Sequence, residues 1–143
     1  MALKSNMNQF LKETQKQIDK ELDKQKSAAK KILITAYDSI VNGSAVDTGL
    51  FRTSHIISLN KFNDTVPTVK NDSQIAISRA SLGAFKFNDG DFFVIQNNLA
   101  YAEALEGGSS KQQAPALYGK TEVIVKRLLN QRIKWFLIGR FLR

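Results

Sequence analysis

The chain has 143 residues, no cysteine and a formal net charge of +8. This length suits one domain with a small core, and the lack of cysteine excludes disulfides, thiolate catalysis and cysteine metal sites. No apolar run approaches the ~20 residues of a transmembrane helix, and no signal-peptide block stands at the start, so we expect neither membrane association nor secretion.

The charge is distributed unevenly along the chain. Residues 1–31 carry eight lysines and four acids, residues 32–118 carry six basic and eight acidic residues, and residues 119–143 carry seven basic residues and one acid. Two basic ends therefore flank a mildly acidic middle, an arrangement that suits nucleic-acid phosphates or acidic protein surfaces. The plainer interpretation is that the N-terminal lysines only keep a helix face soluble, and composition leaves both open.

A long N-terminal helix is predicted over residues 5 to about 41. Apolar or small residues recur there mostly at gaps of three, four or seven, which is helical spacing, at Met7, Leu11, Ile18, Leu22, Ala29, Ile32, Leu33, Ala36 and Ile40. Asn42-Gly43 is a good helix stop. The first half has only a narrow apolar seam, so we expect it to need its own domain or a neighbouring subunit as a partner.

The middle of the chain has the pattern of strands and turns. Residues 52–60 predict a first strand and residues 74–78 a second. A hairpin is predicted where Phe85 and Phe87 lead into a turn at 88–91 and residues 92–96 return, because Asp-Gly between apolar runs is a strong hairpin signal. A small antiparallel sheet of three to five strands follows from these segments.

Helical spacing returns toward the C-terminus. Residues 99–105 predict one or two helical turns, residues 107–116 a flexible loop, and the chain from Leu117 onward a closing helix. The predicted fold class is therefore α+β, with a long N-terminal helix, a small antiparallel sheet and a C-terminal helix packed on the sheet. We expect a single domain, 1–143, made of an N-terminal helical arm (1–42), a sheet body (43–118) and a C-terminal helix and tail (119–143).

Groups that could perform catalysis are sparse. The one histidine, His55, falls in a predicted strand, where its neighbour Ser54 points to the opposite face and cannot complete a triad. Asp89 and Asp91 lack the further oxygen ligands of a calcium loop. We therefore predict no catalytic residue, no metal and no cofactor, and a protein that is not an enzyme.

Two short motifs and a proline loop carry a family resemblance. The first motif is Val46-Asp47-Thr48-Gly49 followed by Arg52 and Ser54. The second runs from Ile95 through Asn98 and Tyr101-Ala102 to Leu105-Glu106-Gly107-Gly108, and the third is Ala114-Pro115-Ala116-Leu117. Their order and spacing resemble those of the neck or tail-completion proteins that join head to tail in tailed bacteriophages.

That resemblance implies a structural virion protein made in the host bacterial cytoplasm. It would form a homo-oligomeric ring in the neck, around the DNA channel, between head-closure or connector proteins and the tail terminator or tail tube. It also implies that the two signature motifs lie near each other. The residues expected to define these turns or to contact subunits are Asp47, Thr48, Gly49, Arg52, Tyr101, Glu106 and Gly107. We expect Asp47 to cap a backbone turn and Arg52 to pair with a carboxylate such as Glu106.

The two basic ends supply further candidates. Four lysines of the N-terminal helix are candidates for non-specific DNA contact in the channel, namely Lys12, Lys16, Lys20 and Lys24. The apolar and basic tail is expected to contact another subunit through Trp135, Phe136, Arg140 and Phe141, with core packing and a membrane surface as its alternatives. The alternative function is a free basic nucleic-acid-binding protein.

Overall fold

The computed structural model describes residues 2–86, 88 and 90–141, with side chains for residues 6–86, 88 and 90–131. It has the predicted α+β class. The elements in chain order are α1 (Ala2–Gly43), α2 (Leu50–Thr53), β1 (His55–Leu59), α3 (Gln74–Ala84), β2 (Phe93–Asn97), α4 (Ala102–Glu106) and α5 (Leu117–Phe141). Contacts divide the chain into two units, Met1–Lys31 and Ile32–Arg143.

The long N-terminal helix is confirmed and extends slightly beyond the predicted bounds, as α1 (Ala2–Gly43). In the first unit nearly every described side chain is exposed. In the second unit the last turns of α1 supply core residues, among them Tyr37, Ile40 and Val41.

The first predicted strand begins later than expected, because its first residues form the short helix α2. The Thr53 hydroxyl donates to the Gly49 carbonyl at 3.1 Å, and the Ser54 hydroxyl donates to the Leu50 carbonyl at 2.6 Å. A hydroxyl reaches the carbonyl four residues back only where the chain is coiled, so these bonds accompany the helical turn and compete with the extended form of a strand. β1 therefore starts only at His55.

The described residues form a sheet of two antiparallel strands, so the prediction of three to five strands is not confirmed. β2 pairs with β1 in a register that sets His55 opposite Asn97 and Leu59 opposite Phe93. The predicted hairpin was wrong about the partner of β2, which is β1 and not the segment around Phe85. Phe87 and Asp89, which belonged to that hairpin, lie outside the described residues.

The predicted strand 74–78 is wrong, since this segment opens the helix α3 (Gln74–Ala84). The alternation of two isoleucines suggested a strand, but Ile77 is exposed and the buried positions are Ser78 and Leu82, at helical spacing. Asn71 helps to start the helix, because its side-chain oxygen accepts from the Ser73 amide at 3.1 Å.

Two small hydrophobic clusters hold the second unit together. One joins the end of α1, α2 and the first residue of α5 through Ile40, Phe51, Leu99 and Leu117. The other joins α1 and α3 through Tyr37, Val41 and Leu82. Because Leu117 belongs to the first cluster, the start of α5 is fixed against the same residues that support the turn after α1.

Candidate functional site

The turn between α1 and α2 contains the first signature motif and depends on a glycine. Gly49 has φ +79, in the left-handed region that side chains with a Cβ rarely adopt. The Thr48 hydroxyl accepts from the Leu50 amide at 3.3 Å and so closes the turn. Thr48 therefore performs the capping role that the sequence had assigned to Asp47.

The second signature motif lies beside this turn. Tyr101 precedes α4, and its ring centroid is 6.1 Å from that of Phe51, the residue two places after Gly49. Leu105 and Ala102 pack against the cluster that contains Phe51. The two motifs, about fifty residues apart in sequence, are thus held together by apolar contacts in the core.

A cleft of about 590 Å³ opens where the motifs meet. Its walls come from the turn after α1, from the start of α4 and from the loop that follows α4. The lining residues are Ala45, Asp47, Thr48, Gly49, Phe51, Tyr101, Leu105, Ser109, Ser110, Lys111 and Gln112. Arg52, Glu106 and Gly107, the other residues expected at this site, are not among them.

The rim of the cleft carries polar groups that the fold leaves available. Asp47 is exposed and has no hydrogen bond or ion pair with any described residue. Tyr101 is 43% exposed although its ring lies against Phe51. Lys111 is exposed on the loop that follows α4. The cleft therefore offers one carboxylate, one ammonium group and one aromatic face to a binding partner.

The expected ion pair between Arg52 and Glu106 is absent from the described side chains, because both bind backbone groups at helix ends. Arg52 Nε donates to the Val41 carbonyl in the last turn of α1 at 2.9 Å. The Glu106 carboxylate accepts from the Tyr118 amide at 3.0 Å and from the Gly119 amide at 3.2 Å. A carboxylate at a helix N-terminus is stabilised by the unpaired amides and by the helix dipole, so Glu106 caps α5.

Two glutamines that were not predicted from sequence attach the loop after α4 to the turn after α1. Gln112 Oε1 accepts from the Val46 amide and Gln113 Oε1 from the Ala45 amide, both at 3.1 Å. Gln113 is buried. Residues 112 and 113 of the predicted flexible loop are therefore tied to the turn. Two adjacent glutamines after a Gly-Gly pair are only a weak sequence signal for an ordered loop. They do not show which backbone amides the glutamines bind.

Behind the cleft, a buried polar network joins α1, β1 and α5. Ser44 Oγ donates to the Ile40 carbonyl at 2.7 Å and lies 2.7 Å from His55 Nε2. His55 Nδ1 lies 2.8 Å from the Tyr118 hydroxyl. Because the carbonyl can only accept, the serine proton is already used, so Nε2–H donates to Ser44 and the tyrosine hydroxyl donates to Nδ1.

This polarity makes the histidine a donor to the serine, the reverse of what a catalytic base requires. His55 is fully buried, and burial lowers its pKa to about 4, so the ring is neutral at pH 7. Burial also raises the pKa of Tyr118, with a smaller contribution from the nearby Glu106. The network is therefore one of neutral, fully engaged groups that fix three elements to one another.

The remaining candidates lie elsewhere. Lys12, Lys16, Lys20 and Lys24 are all exposed on α1 in the first unit. Trp135, Phe136, Arg140 and Phe141 fall in α5, but their side chains lie outside the described residues. Among the described residues, no three histidine, aspartate or glutamate side chains form a group that could hold a metal ion. Nor does any helix in the described part of the chain have the length and apolarity needed to cross a bilayer.

A scan against protein-family models and searches of curated proteins and solved structures return no match to this chain.

Proposed function

We propose that this protein is a non-enzymatic virion component of a tailed bacteriophage, located in the neck, where it completes the joining of head to tail. In this proposal it assembles as a ring around the DNA channel, between head-closure proteins and the tail terminator or tail tube. The observation that supports it is the cleft, because the resemblance expects its two signature motifs to lie near each other and Asp47 and Tyr101 line one cleft.

The cleft is the proposed contact with a neighbouring subunit. A basic side chain of the neighbour pairs with Asp47 and covers the exposed face of Tyr101, since cations favour aromatic faces and carboxylates together. An acidic group beside it pairs with Lys111. Because Asp47 has no role inside the subunit, a change at this residue alters assembly and leaves folding intact.

The sheet is proposed to grow to three or more strands only in the assembled ring. A two-stranded sheet has an outer edge on each strand, and such an edge accepts an extended segment of another chain. Residues 66–70 are a suitable donor segment, since they lack helix or strand structure and expose Val66 and Val69, whereas the backbone of Asn63 and Thr65 is bonded to Gln96 and Asn98 of the same subunit. Replacing both valines with aspartate should prevent ring formation without lowering the melting temperature of the monomer, and rings formed at wild-type levels would refute this step.

The neck role is tested by removing the gene from the phage that encodes it and supplying variants in trans. Loss of the protein should leave separate heads and tails in electron micrographs and no infectious particles. Asp47→Lys should fail to restore joining, whereas Asp23→Lys should restore it, because Asp23 is an exposed carboxylate outside the cleft and outside the proposed donor segment. Fully joined, infectious particles made without the protein would overturn the proposal.

A free nucleic-acid-binding protein is the second candidate, and one observation favours it. Lys12, Lys16, Lys20 and Lys24 recur at every fourth residue and are all exposed, so they form a continuous basic row along α1. Such a row would bind duplex DNA with an affinity that falls with salt, at a logarithmic slope of about −3 to −4 for four phosphate contacts.

Replacing the four lysines of the row with glutamine should then abolish binding to duplex DNA, measured by fluorescence anisotropy between low and physiological salt. The matched control is a second set of four exposed lysines replaced in the same way, Lys61, Lys86, Lys111 and Lys120. Equal loss in both variants, or no binding by the wild-type protein, would exclude the row as a specific nucleic-acid surface.

A further inference from the structure

The first unit has an uncovered apolar stripe on α1. Met7, Leu11, Ile18 and Leu22 are 58%, 55%, 48% and 42% exposed. At 100° per residue these four side chains lie within a narrow sector of the helix, and the basic row from Lys12 to Lys24 lies on the opposite side. An amphipathic helix gains stability mainly by covering such a face.

The stripe follows an eleven-residue repeat that runs through the whole of α1. Leucine recurs at Leu11, Leu22 and Leu33, and a second apolar series recurs at Met7, Ile18, Ala29 and Ile40. Eleven residues make three helical turns at 3.67 residues per turn, which is the spacing of helices that pack along one another over a long distance. Within the second unit the repeat position Ile40 is packed in the core and only 2% exposed. The positions of this repeat are therefore ones that the protein buries when another element packs against them.

We propose that a second copy of this chain covers the stripe, as a parallel, in-register pair of α1 helices. Polar residues interrupt the stripe at Thr14 and Gln25, which are themselves eleven residues apart. In the parallel pair Gln25 faces the partner's Gln25, and two amides can bond each other because each is both donor and acceptor. A buried polar pair of this kind specifies register in helix pairs.

The antiparallel arrangement is disfavoured by the same residues. In an antiparallel pair Gln25 faces Thr14 and not a second amide, and like flanks of the stripe face each other, which brings Glu21 close to the partner's Glu21. In the parallel pair opposite flanks face each other, so Glu21, which makes an exposed 3.6 Å ion pair with Lys24 of its own helix, also faces the flank that carries the partner's Lys26. Two such pairs form per dimer, so charge complementarity favours the same orientation as the amides.

Sedimentation equilibrium of the full chain tests the pairing. The wild-type protein should show a concentration-dependent dimer, and Ile18→Glu should weaken dimerisation at least tenfold. Ser27→Glu is the matched control, since it adds the same charge on the opposite side of α1 and should leave dimerisation unchanged. Glu21→Lys should weaken the dimer and the double variant with Lys26→Glu should restore it. A monomer at all concentrations, or equal effects of the two glutamate substitutions at 18 and 27, would overturn the proposal.

Orientation is tested by cross-linking, because the chain has no native cysteine to interfere. Thr14→Cys and Gln25→Cys should each form a disulfide between two copies of the same variant. Cross-links that form only when the two variants are mixed would show an antiparallel pair and refute the proposed register. Helicity by circular dichroism should be the same for all variants, and the outcome does not depend on the proposed neck function.

Discussion

Acid should destabilise this protein through its one histidine, because His55 is buried and resists protonation in the folded state. Burial lowers the pKa of His55 from the ordinary 6.5 to about 4. As the pH falls below 6.5 the unfolded chain binds a proton that the folded chain does not, so the contribution of His55 to the free energy of unfolding falls until about pH 4 and is level below it. Between pH 7 and pH 5 the loss is about 2 kcal/mol.

Between pH 7 and pH 5 the loss in the free energy of unfolding comes from the histidine alone. The chain has one histidine and no cysteine. Carboxyl groups of model peptides titrate near pH 4, below this window, and the pKa shifts of Asp91 and Glu122 are downward, further away from it. Urea unfolding measured in steps from pH 7 to pH 5 should therefore show the loss in the wild-type protein and a flat profile in His55→Gln, whatever the overall stability of that variant.

The titration of His55 can also be measured directly, which tests the prediction even if the glutamine variant folds poorly. In the NMR spectrum of the folded wild-type protein, the ring protons of His55 should titrate with a midpoint near pH 4. A midpoint at or above pH 6, or an unfolding free energy that does not change between pH 7 and pH 5, would show that the histidine is not held neutral in the network with Ser44 and Tyr118.

Three further predictions concern backbone geometry around the site, and each is checked by urea unfolding. Gly43→Ala should cost about 1–3 kcal/mol, because an added Cβ would overlap the buried Leu117 side chain. Gly83→Ala meets open space in α3 and should instead stabilise by about 0.5–1 kcal/mol, because alanine has the higher helix propensity. Glu106→Gln should cost about 0.5–1 kcal/mol, since it removes the charge at the start of α5 but keeps an acceptor oxygen. Ala116→Gly should stabilise by about 0.5 kcal/mol, because residue 116 has φ 57 and glycine relieves that strain at some entropic cost; destabilisation there would contradict it.

The two long helices were predictable from sequence, whereas the helix α3 and the pairing of the strands were not, for a physical reason. α1 repeats its apolar spacing over many turns, so its pattern excludes a strand. The segment that begins α3 offered only Ile75 and Ile77, a run too short to separate the two periods. Its helical form buries Leu82 against Tyr37 and Val41 of α1, a tertiary contact that no local pattern contains. The half-exposed ion pair of 3.2 Å between Arg79 and Asp38 contributes little beside it.

Proximity of the two signature motifs was expected from the family resemblance, whereas the partners of their polar residues were not predictable. From the sequence, charged side chains were expected to pair with each other, as Arg52 with Glu106. In the structure Arg52 and Glu106 bind unpaired backbone groups at the ends of α1 and α5. Helix ends leave four such groups each, so they compete strongly for nearby side chains.

The same competition explains why Asp47 is the residue to examine for binding. Around the turn, Thr48, Gln112 and Gln113 are all engaged with backbone amides, and Arg52 with a backbone carbonyl. These bonds fix the walls of the cleft before any partner arrives, which lowers the cost of ordering them on binding. Asp47 alone among these polar side chains keeps its acceptor oxygens exposed and without a bond to a described residue, so reversing its charge separates assembly from folding.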